Sequence, residues 1–399
     1  MKYIIAIPDG VSDSLDDYPK GNTPMQLADT PLLDQLANCG EVGWAKTVPD
    51  TFPPGSDVAC LSIFGYDPAV YYTGRAPLEA VSMGIELGGN VAFRCNLVTI
   101  ENGIMKDFTA GHISTEEARD IIQTLQQEIV EDSVKFYPGV QYRHAFVTPP
   151  KCGEVECTPP HDITGQPVDS YLPKGIAADA INEYMEKSRK ILAAHPVNQK
   201  RIEQGKNPAT QVWLWGQGTA PQLIPFSMRC GLRGAVISAV DLIKGIALLA
   251  GLDVINVTGA TGLPDTNYEG KGDAAIDALK KGDFVCIHVE ATDEMGHQGD
   301  AERKKQAFSD FDRRMLNRVV KYLKDEGEPF RLLVTPDHPT PIALKTHSKE
   351  PVPFLIYDSR YTQKQGRGGY SELAVKHRSD LVILGHNLLD RLCEKVNIT

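Results

Sequence analysis

The sequence predicts an α/β protein with a mostly parallel sheet flanked by helices, into which an α+β segment is inserted. Near both ends of the chain, short apolar runs rich in β-branched residues alternate with helical segments. This alternation requires crossover connections, which are typical of parallel sheets. From about residue 76 the pattern changes to short apolar runs separated by Gly-Asn and Asn-Gly turns. We therefore predict a discontinuous domain formed by 1–75 and 226–399, and an inserted domain formed by 76–225.

Strands and helices of the larger domain follow from local patterns. The predicted strands are short and apolar, as expected of a sheet interior; they are 2–7, 234–238, 252–257, 283–290, 331–335 and 352–357. Pro31 and Gly40 mark the start and end of a first helix, over 30–38. Further helices are predicted over 239–250, 271–280, 301–325 and about 380–396. In the inserted domain, Ser114 and the acidic residues after it predict a helix over 115–129.

Acidic and imidazole side chains follow three of these strands. Asp9 lies just past the first strand, and Asp337 and His338 follow the strand over 331–335. After the strand over 283–290, a polar loop is predicted to carry Asp293 and His297. Open α/β sheets place their sites at the carboxyl ends of the strands, so we expect these side chains to meet there.

The candidate ligands, together with His347, are carboxylates and imidazoles. None of them is a cysteine, and this mixture suits Mn²⁺, Zn²⁺ or Mg²⁺ better than a thiolate zinc site. The number of candidates is too large for one ion and suits two, which can clamp the attacking and leaving oxygens of a phosphoryl transfer. His288, within a buried strand, is interpreted instead as a hydrogen-bonded histidine of the core or its rim.

Ser56 follows a turn formed by Pro53, Pro54 and Gly55. Its position predicts the N-cap of a short helix, which would be a structural role only. The alternative is a nucleophile, because the positive end of a helix favours an alkoxide or a phosphoryl group.

Composition limits the partners of this protein. The net charge of −11 and the lack of a basic block argue against nucleic acid, although a metal and a few arginines could still bind a small anion. The N-terminal apolar run is shorter than that of a signal peptide, and no apolar segment of 18 residues follows. Eight cysteines without a CxxC pair suggest thiols in a reducing cytoplasm, with a disulfide or a zinc site at Cys152 and Cys157 as the alternative.

A set of motifs extends over most of the chain and resembles one family. These motifs are Asp9-Gly10, Pro54 to Asp57, Ser62 to Pro68, Tyr72 to Arg75, Ala110 to His112, Asp265 to Tyr268, Gly270-Lys271, Asp293-x-x-x-His297, Asp337-His338 and Thr346-His347. Together they resemble the short, archaeal-type, 2,3-bisphosphoglycerate-independent phosphoglycerate mutases of the alkaline phosphatase superfamily. The resemblance implies an alkaline-phosphatase-like fold and an isomerase of the cytoplasm that needs no 2,3-bisphosphoglycerate.

The resemblance also implies a division of the ligands between two divalent ions. Mn²⁺ is the expected ion, with Mg²⁺, Zn²⁺ and Co²⁺ as alternatives. One ion would be held by Asp9, Ser56, Asp337 and His338, and the other by Asp293, His297 and His347. Ser56 would be the nucleophile that becomes phosphoserine while 3-phosphoglycerate and 2-phosphoglycerate interconvert.

For binding the small phosphorylated acid, the candidate residues are Arg143, His112, Arg94, Arg75 and Lys244. One departure from the family pattern concerns Cys60, since longer relatives carry a histidine four positions after the nucleophile. No role can be transferred to that position.

Three alternatives to the mutase remain at this stage. A homoserine kinase-like branch of the same family resembles the chain at 111–118 and 161–165, but there is no phosphate-binding GxxxxGK[ST] loop. A phosphatase would use the same groups with water resolving the intermediate. A non-catalytic metal-binding protein is the third alternative, but it would not explain a serine, Ser56, beside a full set of candidate metal ligands.

Overall fold

The computed structural model describes residues 1–18, 22–129, 133–361 and 368–394. It divides into two compact units, one formed by Met1–Tyr72 with Gln222–Thr399 and the other by Thr73–Pro221. The domain borders expected from the sequence are 75/76 and 225/226. Within the described part of the chain, no helix combines the length and apolar character needed to cross a membrane.

The strands of the described residues, in chain order, are β1 (Lys2–Pro8), β2 (Glu41–Lys46), β3 (Val91–Glu101), β4 (Ile104–Asp107), β5 (Lys135–Val140), β6 (Arg143–Thr148), β7 (Gln211–Gly218), β8 (Gly234–Ile237), β9 (Asp253–Ile255), β10 (Phe284–Val289), β11 (Phe330–Val334), β12 (Val352–Asp358) and β13 (Val382–Leu384).

The α-helices are α1 (Pro24–Leu27), α2 (Pro31–Ala37), α3 (Ser56–Ile63), α4 (Pro68–Tyr71), α5 (Arg75–Ser82), α6 (Thr115–Glu128), α7 (Ala178–Leu192), α8 (Pro196–Glu203), α9 (Phe226–Cys230), α10 (Asp241–Leu249), α11 (Tyr268–Lys281), α12 (Ala291–Gln298), α13 (Ala301–Asp310), α14 (Asn317–Asp325), α15 (Glu372–Lys376) and α16 (Leu388–Leu392). Short 3₁₀ turns occupy Leu15–Asp17, Pro150–Cys152, Pro160–Ile163, Val168–Tyr171 and Gly385–Asn387.

The first unit contains an eight-stranded sheet in the order β13-β2-β12-β11-β1-β10-β8-β9. Strand β1 lies between β10 and β11 and is parallel to both, and β8 and β9 continue the parallel arrangement. Among the strands of this sheet in the described residues, only the β11–β12 and β12–β2 pairings are antiparallel. The predicted α/β class with a mostly parallel, helix-flanked sheet is therefore confirmed.

The long amphipathic helix expected over 301–325 is present, with a π-helical segment, Phe311–Leu316, between α13 and α14. Its apolar face, including Phe308, Phe311 and Val319, packs into the core beneath the sheet. Asp312 of the π segment is fully buried and accepts hydrogen bonds from the backbone N–H groups of Leu32 and Leu33 at the start of α2. The π segment therefore carries a carboxylate that caps a second helix.

The second unit is built on a five-stranded antiparallel sheet. Strand β3 pairs with β4, β6 and β7, and β5 pairs with β6. The helix expected over 115–129 is α6, and its expected cap at Ser114 is a capping box with Glu117. Cys152 and Cys157 form no disulfide.

Two expected elements differ in the structure. The residues predicted as a polar loop after β10 form α12 instead. Gly296 lies within this helix, and Gly299 is its C-cap with a left-handed backbone. The final helix expected over 380–396 is shorter, because β13 and a 3₁₀ turn occupy 382–387 and only Leu388–Leu392 is α-helical. Lys395 and Val396 lie outside the described residues.

Candidate metal centre

The candidate ligands of the first unit come from the carboxyl ends of three neighbouring parallel strands. Ile7 of β1 pairs in register with His288 of β10, and Ala6 with Val334 of β11. The residues immediately after these strands therefore start from the same edge of the sheet. Helix α12 carries Asp293 and His297 four positions apart, which places both side chains on one face of the helix.

One compact group joins Asp293, His297 and His347. The Nε2 atom of His297 lies 3.2 Å from Asp293 Oδ2, and that of His347 lies 3.5 Å from Asp293 Oδ1. Each imidazole directs its Nδ1 to a backbone carbonyl, that of Lys345 for His297 and that of Pro54 for His347. Both rings therefore point Nε2, the remaining nitrogen, at the carboxylate.

A second compact group joins Asp9, Asp293 and His338, all of them buried. His338 Nε2 lies 3.7 Å from Asp9 Oδ1 and 3.1 Å from Asp337 Oδ2. Asp337 also accepts a hydrogen bond of 3.1 Å from the backbone N–H of Gly10. The structure thus brings all six predicted Asp and His ligands to one edge of the sheet, and Asp293 contributes to both compact groups.

Ser56 is the first residue of α3, and Gly55 occupies the N-cap in an extended conformation. The predicted N-cap role of Ser56 is therefore wrong, because the helix begins one residue earlier than the pattern suggested. Ser56 Oγ instead lies 3.0 Å from His338 Nε2. Its hydroxyl is consequently held in the first turn of a helix and beside a candidate metal ligand, where negative charge is favoured.

The candidate metal site contains three buried carboxyl groups. Burial raises the pKa of Asp9 well above its usual range, and the charges of Asp337 and Asp293 raise it further. Burial would also raise the pKa of Asp293, but hydrogen bonds from His297 and His347 outweigh it and hold that pKa well below the usual range. Burial opposes protonation of His297, yet the bond to Asp293 raises its pKa to about 9.

These side chains fit divalent cations. Asp9 Oδ1 is buried and has no hydrogen-bond partner among the described residues. The Nε2 atoms of His297 and His347 face each other at 3.0 Å, although their Nδ1 atoms are committed to backbone carbonyls. A cation in the first group would satisfy both nitrogen lone pairs, and a cation in the second group would satisfy Asp9 Oδ1. Mixed imidazole and carboxylate ligands suit Mn²⁺ and Zn²⁺.

Cys60 lies against this site from α3. Its Sγ is 4.0 Å from Asp337 Oδ2 and fully buried. Burial raises the pKa of the thiol well above its usual range, and the nearby charges of Asp337 and Asp9 act in the same direction. Burial and these charges therefore favour the protonated thiol.

A buried lysine supports the loops that carry the acidic ligands. Lys304 of α13 is fully buried and donates to the carbonyls of Ser12 and Thr340, at 3.3 Å and 2.7 Å, and to Asp13 Oδ2 at 3.3 Å. Glu372 accepts from the N–H of Asp13 at 2.8 Å. Because these loops follow β1 and β11, this charge network fixes the backbone on both sides of the candidate metal site.

Three of the candidate anion-binding residues form a cluster in the second unit. Arg75 and Arg94 both bind Glu79, with N–O distances of 3.0 Å and 2.8 Å. Arg94 is also stacked 4.3 Å above the ring of Trp215. Burial would raise the pKa of Glu79, but Arg94 and Arg75 outweigh it, and the charge of the exposed Arg143 lowers that pKa further. Three arginines around one carboxylate leave a net positive charge.

The other two candidates are placed differently. His112 of the second unit is exposed and follows Ala110 and Gly111 in three successive residues with positive φ. The carbonyls of Ala110 and Gly111 accept hydrogen bonds from Arg201 Nη2, at 2.7 Å and 3.2 Å. Lys244 lies on α10 of the first unit and pairs with Asp241.

The sequence did not predict several residues that hold the candidate ligands in place. Thr340 contacts both Asp293 Oδ1 and His338 Nδ1, and Thr292 donates to the carbonyl of Asp9. His288 is buried and hydrogen-bonded, as interpreted from the sequence, but its partner is the candidate ligand Asp9. Burial lowers the pKa of His288 to about 4, so this ring is neutral at pH 7.

Comparisons with known proteins agree with one another. The sequence model of a family described as 2,3-bisphosphoglycerate-independent phosphoglycerate mutase matches residues 37–198. A protein of that name from Methanosarcina mazei is 52% identical over 391 residues, covering 98% of either chain. A probable mutase of the same kind from Geobacter sulfurreducens is 48% identical and covers 99% of this chain and 100% of its own.

Solved structures of similar fold are also full-length matches. A protein from Pyrococcus horikoshii superposes with a TM-score of 0.82 at 28% identity, covering 100% of this chain and 98% of that one. The cofactor-independent phosphoglycerate mutase from Thermoplasma acidophilum gives a TM-score of 0.66 at 27% identity, with 100% of both chains covered.

The fold and the site together define an α/β enzyme of the metal-dependent kind, with acidic and imidazole side chains at the carboxyl edge of its sheet. Full-length relatives at about half identity then identify the family. The chain belongs to the 2,3-bisphosphoglycerate-independent phosphoglycerate mutases. The family resemblance and the isomerase class expected from the sequence are thereby confirmed.

Proposed function

We propose that this chain interconverts 3-phosphoglycerate and 2-phosphoglycerate through a phosphoserine at Ser56, without 2,3-bisphosphoglycerate. The observation that carries the proposal is the position of Ser56 Oγ, in the first turn of α3 and 3.0 Å from His338 Nε2. A serine in the first turn of a helix, next to buried acidic and imidazole ligands, has the surroundings that a phosphoryl-accepting nucleophile requires.

Two divalent ions are the proposed cofactors, with Mn²⁺ as the first choice and Mg²⁺, Zn²⁺ and Co²⁺ as alternatives. Asp9, Ser56, Asp337 and His338 would hold one ion, and Asp293, His297 and His347 the other. When bound, these ions would supply the positive charge that stabilises the ionised serine and the transferring phosphoryl group. The compact groups around Asp293 and the unpaired Asp9 Oδ1 support this assignment.

The proposed reaction conserves the phosphoryl group. Ser56 Oγ loses its proton and attacks phosphorus while the bond from phosphorus to the glycerate oxygen breaks, and the departing oxygen takes up a proton to become a hydroxyl. The other hydroxyl of the bound glycerate then attacks the phosphoserine and releases Ser56 Oγ. Water must be excluded between these two steps, because hydrolysis of the phosphoserine would turn the mutase into a phosphatase.

The second unit is the proposed substrate domain. Arg75, Arg94 and Arg143 surround Glu79 with an excess of positive charge, and arginine matches phosphate and carboxylate oxygens in a bidentate geometry. His112 is the next candidate in this unit, and Lys244 is the candidate in the first. A cytoplasmic location belongs to the same proposal.

The alternatives carry less support. Relatives of about half identity along the whole chain are named as mutases and not as kinases. These names favour phosphoglycerate over homoserine as the substrate. A phosphatase and a non-catalytic metal-binding protein lack a comparable observation.

The test is ³¹P NMR of the Mn²⁺-loaded protein with 3-phosphoglycerate and no added bisphosphoglycerate. We expect a 2-phosphoglycerate signal to grow without a signal from free phosphate. Ser56→Ala should abolish the reaction while leaving Mn²⁺ affinity within about tenfold of the parent, because the other ligands remain. Ser62→Ala, a buried serine of the same helix, is the matched control and should retain the reaction.

Free phosphate as the sole product would make the protein a phosphatase. No change with 3-phosphoglycerate, together with ATP consumption that depends on homoserine, would favour the kinase.

A further inference from the structure

His288 links a candidate metal ligand to a second buried polar group. The side chain of His288 is fully buried in β10. Its Nε2 lies 2.9 Å from Asp9 Oδ2, and its Nδ1 lies 3.2 Å from Ser238 Oγ. The imidazole therefore bridges the carboxyl ends of β1 and β8, on either side of its own strand.

The direction of these hydrogen bonds follows from the surrounding donors. Ser238 Oγ accepts from the backbone N–H of Val240 at 3.0 Å, so the serine hydroxyl can use its own proton toward His288 Nδ1. A neutral imidazole that accepts at Nδ1 carries its proton at Nε2. Asp9 Oδ2 then receives that proton as a hydrogen bond, which a carboxylate can only accept.

The main chain of Asp9 is fixed independently of its side chain. Its N–H donates to the carbonyl of Val289 at 3.0 Å, and its carbonyl accepts from the hydroxyl of Thr292. The carboxyl group of Asp9 could still rotate and turn either oxygen toward the candidate metal site. The contact with His288 removes this freedom, because it commits Oδ2 and leaves Oδ1 beside His338, 3.7 Å from Nε2.

The position of His288 is itself held by a buried lysine. Lys271 of α11 is fully buried and donates from Nζ to the carbonyl of His288 at 2.9 Å. Backbone and ring of His288 are thus both fixed, on one side by Lys271 and on the other by Ser238. Supporting groups of this kind commonly orient metal ligands and tune their affinity.

We propose that His288 is a positioning residue that fixes the carboxyl group of Asp9 so that Oδ1 is directed at a divalent cation. This inference rests on the proposed function in one respect, the assignment of Asp9 as a metal ligand. Ser238 extends the arrangement by fixing the tautomer of His288. No substrate contact is assigned to either residue.

The test measures Mn²⁺ binding by calorimetry on the metal-stripped, full-length chain without substrate. His288→Leu removes the hydrogen bond to Asp9, and we expect its Mn²⁺ affinity to fall about 10- to 100-fold, as for other groups that support metal ligands. His288→Gln can place an amide N–H near the position of Nε2, so its affinity should stay within about fivefold of the parent. Ser238→Ala should give a smaller loss than His288→Leu.

His144→Leu is the matched control, since it removes a buried histidine from the unit that holds none of the candidate metal ligands. It should leave Mn²⁺ affinity unchanged. Thermal unfolding of each metal-stripped variant shows whether the variant folds, so that a loss of folding is not mistaken for a loss of Mn²⁺ affinity. If His288→Leu does not fold, the Mn²⁺ affinity of His288→Gln is compared with that of the parent. Parental affinity in a folded His288→Leu, or equal losses in both His288 variants, would overturn the proposal.

Failure of the proposed function would look different. If the chain did not catalyse the mutase reaction, ³¹P NMR would show this with the parent protein, whereas the Mn²⁺ affinities of the His288 variants would still report on Asp9.

Discussion

The imidazole rings of His338 and His347 lie with their centroids 3.9 Å apart and their planes inclined by 31°. The family resemblance implies that these residues belong to different metal ions. Their close packing, together with Asp293 as a member of both compact groups, makes the two sets of ligands neighbours in a single site. A change at Asp293 should therefore affect both groups, whereas a change at a residue of one group should affect that group alone.

Asp293→Asn is expected to weaken Mn²⁺ binding at both groups, because the substitution removes the charge that faces His297, His347 and His338. The loss should exceed about 100-fold, which is the upper end for residues that only support ligands. His297→Gln should weaken only the group that it shares with His347. Equilibrium dialysis followed by metal analysis measures both effects.

The control is Glu302→Gln, which removes an equal charge from an exposed position on α13. It should bind Mn²⁺ like the parent. An identical loss of bound Mn²⁺ in Asp293→Asn and His297→Gln would contradict a shared role for Asp293.

The sheet and the ligand types were predictable from the sequence because both depend on local patterns. Apolar runs of strand length and the helices between them defined a parallel sheet, and such a sheet brings residues after β1, β10 and β11 to one edge. The four-residue spacing of Asp293 and His297 could also have indicated α12, since it matches one helical turn.

What could not be predicted depends on contacts between residues distant in the sequence. Nothing local to Lys304 distinguishes it from the exposed lysines of an amphipathic helix, yet it is fully buried among the carbonyls of two loops. The contact of Thr340 with both Asp293 and His338 likewise exists only after β10 and β11 are aligned. The N-cap was missed by one residue because Gly55 and Ser56 are both acceptable there.

Gly10→Ala is expected to disrupt the candidate metal site directly. Gly10 has a φ of +60°, and a Cβ atom there would lie 2.5 Å from both Asp293 Oδ1 and Thr340 Oγ1. The alanine must displace Asp293, so we expect Mn²⁺ affinity to fall by at least about tenfold. Unfolding stability should fall by about 1–3 kcal/mol because of the strained backbone and the close contacts. Calorimetry and urea unfolding measure the two effects.

Gly327→Ala is the control that separates backbone strain from the steric clash of the added Cβ atom. Gly327 has a φ of +65°, but no atom lies within 4 Å of a Cβ built there. This variant should lose only about 1–2 kcal/mol of unfolding stability from the left-handed backbone and should keep its Mn²⁺ affinity. Equal Mn²⁺ affinities in the two variants would show that the space beside Gly10 is unimportant for the site.

Arg201→Met is expected to destabilise the loop that presents His112. The guanidinium of Arg201 is 2% exposed and binds Glu117 at 2.6 Å as well as the carbonyls of Ala110 and Gly111. Removing it leaves buried acceptors unpaired, and we expect a loss of about 3 kcal/mol in unfolding stability. If His112 contacts the substrate, KM for 3-phosphoglycerate should rise more than kcat falls, because the chemistry at Ser56 is unchanged.

Arg189→Met is the matched control, because Arg189 is 58% exposed and pairs with Glu186 on the surface. It should change unfolding stability by less than about 1 kcal/mol. A loss in Arg201→Met no larger than this would refute the structural role of Arg201.

His144→Gln is expected to make the second unit less sensitive to acid. His144 is 4% exposed, its Nδ1 accepts from the N–H of Gly139 at 2.9 Å, and burial lowers its pKa to about 3. The unfolded chain, with a histidine pKa of about 6.5, takes up a proton first as the pH falls. The folded state is therefore penalised progressively below pH 6.5, by about 2 kcal/mol at pH 5 at 1.36 kcal/mol per pKa unit.

The variant should lose about 2 kcal/mol less unfolding stability than the parent between pH 7 and pH 5, because the glutamine does not titrate. Urea unfolding followed through the fluorescence of Trp213 and Trp215 reports on this unit, since both side chains are buried in its core. His377→Gln replaces an exposed histidine and should show the parental pH dependence. If His144→Gln showed the parental pH dependence, His144 would take up its proton in the folded protein between pH 7 and pH 5, as it does in the unfolded chain.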